Sequence, residues 1–373
     1  MASPIYYIRF FKPPPTQCKV GQPFTIVWTI ESDLGDQSYW EAIPITLSLR
    51  GSTQLGLRIH DAKTKKNTPK NGPYAQAASM QQETQLVFDP FQGGGMVTKI
   101  VIEPMVGKTV PVGSPMEIQL EMSLSKSARK QSHTVWKDAF QFESPSQELI
   151  WIIPAWSIPL DTMVVKQRHG EPESGDQAER WLGNGSSCIK IREDAVQSIA
   201  RHIWDCGLGM CDYLNQLVHQ EKTDFNHNVI LELGSGTGLV GIYAAQLLSP
   251  KEVYLTDLED ALEIMQQNAD LVQDKKCKII VNELAWGPDA DPLYDNVDLV
   301  LLTDVLYNQS SHDVLLDTLN WLLKPATKAL LAYKERNPDE RVFFTKVKER
   351  GFECKPVNND QNVLWEFYWI EKA

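Results

Sequence analysis

Three glycines at alternate positions, Gly234, Gly236 and Gly238, follow the apolar run Val229–Leu233 and precede a helical pattern from Leu239 to Leu248. A turn without Cβ atoms lets a bound group approach the backbone. The first N–H groups of the helix that follows point outward without partners, so the stretch suits a polar or anionic ligand. Groups able to do chemistry stand around it. Glu232 lies in the strand just before the first glycine. Asp257 comes nineteen residues after Gly238, at the end of the next apolar run, where a carboxylate can accept both hydroxyls of a ribose or instead cap a helix. Asp304 and Tyr307 follow a later apolar run, at the expected working edge of the same sheet, with Trp286 between as a flat surface for an adenine ring.

The glycines alone do not name the ligand, because Gly236-x-Gly238-x-x-Gly241 also satisfies dinucleotide spacing. Glu232 tilts the balance. An acid beside a diphosphate is repelled, whereas one beside a cationic amino-acid group is attracted. S-adenosylmethionine carries an amino group and a sulfonium and no phosphate, which makes it the expected cofactor.

The elements that must position these residues alternate. After the glycine turn come strand 252–256, helix 259–273, strand 277–281, strand 297–302, helix 313–323 and strand 328–333, then a helix over 338–350 and two closing strands, 352–356 and 363–370. Alternation of this kind implies a parallel sheet with right-handed crossovers and a ligand at the carboxyl ends of its strands. Upstream, Cys188–Arg192 reads as a short strand and 194–220 as helical around Trp204-Asp205, a pair that fits a core anchor with an N-cap acid as well as a site. Residues 1–148 read as an all-β, sandwich-like domain. Apolar or alternating runs at 24–30, 43–49, 85–88, 97–102, 116–124 and 139–142 are separated there by Pro, Gly and Asn clusters. Proline-punctuated residues 149–179 are expected to connect the two, with 171–177 a polar loop, and 180–373 to form the second domain. The basic stretch 63–72 reads as a solvated loop.

Net charge is −12 and unevenly spread: residues 1–150 hold 15 of the 36 basic and 13 of the 48 acidic groups, leaving 21 and 35 for 151–373. An acidic second half argues against nucleic acid as a partner and favours a basic protein segment. Six cysteines form no CxxC pair and no metal-ligand cluster, so no metal is expected and free thiols in a reducing compartment are. No apolar run has the length of a membrane span and the N-terminus has no signal core, so no membrane association is expected and a soluble protein is, cytoplasmic with the nucleus as second compartment.

Taken together, Glu232-Leu-Gly-Ser-Gly-Thr-Gly238, Asp257, Leu284-Ala-Trp-Gly287 and Asp304-Val-Leu-Tyr307 resemble the seven-β-strand, class I methyltransferases, specifically the protein-lysine methyltransferases with a DxxY signature. Ile203–Tyr213 is similar to that group's Trp-containing upstream segment, and the likeness covers about 180–373. The resemblance implies a Rossmann-like seven-stranded α/β sheet with a C-terminal β hairpin and methyl transfer from S-adenosylmethionine to a lysine of a protein substrate. It implies that Asp304 and Tyr307 serve the acceptor. For the cofactor it implies contacts from Trp204, Glu232, Gly234, Ser235, Gly236, Gly238, Asp257, Leu258, Trp286 and Thr303. Thr303 stands where a smaller residue is usual before the DxxY acid. The β-rich first domain is outside the shared pattern, and a partner-docking surface is its expected role. Two alternatives remain at this level: another acceptor, such as histidine or a small molecule, and a non-catalytic module that keeps the fold to bind a partner.

Overall fold

A computed structural model describes residues 5–60, 80–93, 95–128, 133–135, 150–164, 171–182, 188–195, 199–219, 228–273, 276–357 and 365–373. The expected strand 139–142 and the basic stretch 63–72 lie outside the described residues. Two compact units emerge, one of Met1–Trp136, Gln147–Trp181 and Asp194–Gln197, the other of Lys137–Ser146, Leu182–Glu193 and Ser198–Ala373.

The first unit contains β1 (Ile5–Lys12), β2 (Gln17–Lys19), β3 (Pro23–Glu31), β4 (Ile43–Arg50), β5 (Leu55–Ile59), β6 (Glu83–Phe88), β7 (Met96–Pro104), β8 (Pro115–Leu124), β9 (His133–Val135), β10 (Ile150–Ile153), β11 (Ala155–Ser157), β12 (Leu160–Met163) and β13 (Gln177–Leu182). One sheet runs β5-β7-β3-β1-β10-β9; in the other, β13, β11, β8, β12 and β2 are successive neighbours, with β4 on β8 and β6 on β4. Period-two patterning sets what faces inward. Phe24, Ile26, Trp28 and Ile30 of β3 meet Ile45, Leu47 and Leu49 of β4 and Ile118, Leu120 and Met122 of β8 in one apolar core. An all-β sandwich is therefore present.

Residues 149–179 correct the expectation of a connecting segment, because β10 to β13 build both sheets. Pro154 and Pro159 fall between strands, where a missing N–H costs no ladder bond, so they punctuate the sheet rather than end it. The loop from Glu171 is tied down as well: Lys99 Nζ and Thr25 Oγ1 both donate to Glu171 Oε1, at 2.7 and 3.0 Å, and Gly175 N–H donates to Pro14 O at 3.1 Å.

The second unit contains β14 (Ile189–Asp194), α1 (Asp205–His219), β15 (Val229–Leu233), α2 (Leu239–Leu248), β16 (Glu252–Asp257), α3 (Glu259–Asp270), β17 (Lys278–Glu283), β18 (Leu299–Thr303), α4 (His312–Leu322), β19 (Lys328–Tyr333), α5 (Val342–Glu349), β20 (Phe352–Pro356) and β21 (Glu366–Lys372). Its seven-stranded sheet has the order β17-β16-β15-β18-β19-β21-β20. The first five strands are parallel, and β21 runs antiparallel between β19 and β20 as the closing hairpin. The helix expected over 194–220 starts only at Asp205; β14 extends through Asp194, and a single 3-10 turn, Ile199–Arg201, precedes Trp204.

Strand β15 shows how the sheet sets up the site. Leu231 and Leu233 join the core under α4 and α5, while Glu232, one residue out of phase, turns to the α2 side. Strand order reverses at β15, with β16 on one side and β18 on the other, so a crevice opens at its carboxyl end.

Candidate active site

The turn after β15 needs its glycines. Gly234, Gly236 and Gly238 have φ of 69°, 55° and 78°, a region that side chains rarely adopt. Space is short too: a Cβ on Gly236 would lie 2.9 Å from Ala200 O, and one on Gly234 would lie 3.1 Å from Val305 Cγ1 and 3.3 Å from Trp286 Cζ2. The turn is thus packed between the 3-10 turn before α1 and the segment after β17.

Asp257 closes the turn from β16. Its two carboxylate oxygens accept from the N–H groups of Gly236 and Leu258, each at 2.8 Å. A carboxylate has about four lone-pair directions, so this leaves capacity for a ligand's hydroxyls. Burial raises its pKa, the two N–H bonds oppose that, and Asp260 adds to the rise. Leu258 itself is exposed beside it. Trp286 is reached through a different anchor. Leu284 N–H donates to Asp257 O at 3.0 Å, and Gly287 is held to α4 by Thr318 Oγ1 and Trp321 Nε1 at 2.8 and 3.0 Å. The indole between these two anchors is set against the glycine turn. Trp204 approaches from the other flank, its Nε1 donating to Ile199 O at 3.0 Å.

Three further residues expected at the cofactor make contacts inside the protein. Glu232 is 1% exposed, and its Oε2 accepts from Gly241 N–H in the first turn of α2 at 2.9 Å. Burial pushes its carboxyl up to about 8, with the Gly241 bond opposing and Asp257 adding to the rise. Ser235 Oγ accepts from Thr256 N–H at 3.0 Å, and Ser235 N–H donates to Thr256 O at 3.0 Å, so this serine stitches β15 to β16. Gly238 abuts Leu255, Ile242 and Met265. They shape the turn from behind. The parity of β15 dictates this, since the strand has helices packed on both faces.

At the carboxyl end of β18 the next group assembles. The buried Oγ1 of Thr303 has no hydrogen-bond partner among the described residues. Asp304 takes φ of 57° and donates its N–H to Ala332 O of β19 at 3.1 Å. Its Oδ2 forms an ion pair with Arg336 Nη2, a residue the sequence reading missed. The guanidinium lies 5.2 Å from the centre of the Trp204 ring. The available signal was the charged run Lys334-Glu335-Arg336 directly after β19, next to β18. Lys334 pairs there with the buried Asp205 at 2.6 Å. Tyr307 is 55% exposed and its phenol is held protonated by burial, with Asp257, Asp304 and Asp260 adding to the effect. An acidic, partly dry mouth of this kind suits an amine-bearing guest.

A lysine methyltransferase family model matches residues 184–350. EEF1A lysine methyltransferase 3 of Mus musculus is 34% identical over 171 residues, which cover 46% of this chain and 71% of the relative. The chain belongs to the lysine methyltransferase family. Protein N-lysine methyltransferase METTL21A of Mus musculus is likewise 34% identical over 188 residues, covering 49% of this chain and 83% of the relative. A UPF0665 family protein of Schizosaccharomyces pombe is 26% identical over 352 residues, covering 92% of each chain, so its likeness extends through the sandwich unit. This methyltransferase uses S-adenosylmethionine to methylate lysine in protein. The residues present fit that cofactor: the buried Thr303 hydroxyl has no partner among the described residues, and the Asp257 carboxylate keeps acceptor capacity beside the glycine turn.

Proposed function

We propose that the methyl donor lies against Gly234, Gly236, Asp257, Leu258, Trp286, Trp204 and Thr303, and that the acceptor lysine enters beside Asp304 and Tyr307. The observation that carries this reading is the convergence of two groups at neighbouring strand ends: the glycine turn with Asp257 after β15 and β16, and Thr303-Asp304 after β18. When bound, the cofactor supplies an electrophilic methyl group on a sulfonium. Asp257 accepts hydrogen bonds from its ribose hydroxyls, and Trp286 covers its adenine. Asp304 orients the incoming amine through an accepted hydrogen bond, Tyr307 walls the channel, and the amine's proton leaves to solvent. Only the neutral amine has a lone pair to attack with, so orientation and desolvation of that form are the site's main tasks.

The sandwich unit, in this reading, docks the acceptor protein or a partner that presents it. Six free cysteines support a reducing compartment, the cytoplasm first and the nucleus second. The name of the mouse relative makes elongation factor 1A the first acceptor to try. Isotopically labelled S-adenosylmethionine is incubated with the full chain and that acceptor, or with lysate from its own source. Asp304→Asn should lower transfer about a hundredfold while cofactor affinity is kept. Transfer at the wild-type rate would refute the assignment of Asp304.

A further inference from the structure

Arg336 stands where the acceptor is proposed to enter, and nothing in the roles assigned so far uses it. Its main chain is fixed independently of its head: its N–H donates to Glu340 Oε2 at 3.1 Å, and Tyr333 Oη donates to the same oxygen at 3.1 Å. The head meets Asp304 Oδ2 and lies on the Trp204 ring. Both side chains are nearly dry, at 10% exposure for Asp304 and 12% for Arg336. A planar guanidinium held between a carboxylate and an indole face is oriented by both, and it orients both in return.

We propose that Arg336 is a positioning residue for methyl transfer. It fixes the Asp304 carboxylate at the acceptor mouth and, as a permanent positive charge beside it, biases the pocket toward the neutral amine of lysine. The inference rests on the reading of Asp304 as the acceptor-side acid.

The physical reason is charge balance. A lone carboxylate in a dry pocket holds the ammonium form, which cannot attack; a carboxylate already paired with a guanidinium does so far less. Lys334 pairs with Asp205, and Glu340 brings a carboxylate to the main chain of Arg336. Cys206 is buried and kept as a neutral thiol by burial. Asp257 and Asp260 bear on the mouth from the side of Tyr307, whose phenol they help to hold protonated. Arg336 is the cation paired directly with Asp304.

The test uses the full chain, tritiated S-adenosylmethionine and lysate of source cells lacking this protein, with transfer rates taken from pH 6.5 to 9.5 at limiting and saturating lysate. Arg336→Gln should slow transfer about tenfold at pH 7 and move the acid limb of the profile up by about one pH unit, with most of the rate regained at pH 9. Arg336→Lys should keep the limb in place and lose only part of the rate, because it keeps the charge but not the fork. It carries the test alone should the Gln variant not fold. Arg336→Gln in an Asp304→Asn background should add no further loss. Calorimetry should find S-adenosylmethionine affinity within about threefold of wild type in each variant. A loss equal at every pH, multiplying losses in the double variant, or a collapse of cofactor affinity would each overturn the proposal. A silent Asp304→Asn would instead remove the acceptor reading on which it rests. An impaired Asp304→Asn beside a wild-type-like Arg336→Gln would remove this inference alone.

Discussion

Replacing Glu232 by glutamine tests whether a buried acid under the glycine turn carries a proton near neutral pH. The side chain is sealed from water and accepts one backbone N–H, so its carboxyl titrates at about 8 in the folded chain against 4.5 for an ordinary glutamate. An acid with a raised native pKa holds a proton that the unfolded chain has released. Its favourable contribution is complete below pH 4.5 and fades as pH rises to about 8, so stability falls across that window. At about 1.36 kcal/mol per pKa unit the whole fall is at most about 5 kcal/mol. The amide of Glu232→Gln has the shape of the protonated acid and keeps an acceptor for Gly241 N–H, but it does not titrate. Scanning calorimetry of the cofactor-free chain at pH 5.5 and 8.5 checks this. Wild type should lose several degrees in melting temperature between the two, at about 2–4 °C per kcal/mol. The variant should lose clearly less and overtake wild type at the higher pH. Parallel declines in both proteins would show that Glu232 is ionised throughout and that the argument from burial is wrong.

Gly236→Ala forces a Cβ to 2.9 Å from Ala200 O at φ 55°. It should cost about 1–2 kcal/mol of stability and, by shifting the turn, weaken S-adenosylmethionine binding by calorimetry. Asp257→Asn leaves one of the N–H groups of Gly236 and Leu258 without an acceptor oxygen. Cofactor affinity should drop about tenfold or more, at about 1–3 kcal/mol for an unmade buried bond. Thr303→Val removes a buried hydroxyl that has no partner among the described residues. The cofactor-free protein should melt higher, by about 1 kcal/mol of stability, while cofactor or acceptor binding weakens; a gain in melting temperature with unchanged binding and turnover would show that neither ligand uses this oxygen. Lys334→Met removes the cation paired with Asp205, whose side chain is 1% exposed. Urea unfolding should register a loss of about 3–5 kcal/mol.

The strand–turn–helix at Val229–Leu248 is legible in sequence because three signals coincide there: an apolar run, glycines that tolerate positive φ, and a change of period. The order of the parallel strands and the closing hairpin follow from the same kind of punctuation. β1 escapes that reading because Ile5-Tyr-Tyr-Ile is buried on both faces and so does not alternate. β10 to β13 escape it because their prolines look like loop signals until partner strands are known. Within the candidate site, Asp257 and Trp286 are proposed from their places after successive strands and Trp204 only through the family resemblance, whereas Glu232 illustrates what spacing cannot supply. Its phase along β15 is readable, but which of two covered faces holds the ligand is a tertiary fact. Arg336 is hidden for a related reason. An arginine's partner is chosen by the adjacent strand end, 32 residues away in sequence.

The left-handed backbone at Asp304 governs how this position can be interrogated. Asparagine and aspartate are among the few side chains that tolerate such φ values, whereas alanine and the β-branched residues tolerate them poorly. Truncation here would therefore perturb the main chain and the carboxylate together, and a dead alanine variant would say little about charge. The amide is the one replacement that separates electrostatics from geometry, and natural chains that vary at this position should favour residues content with the same torsion angles.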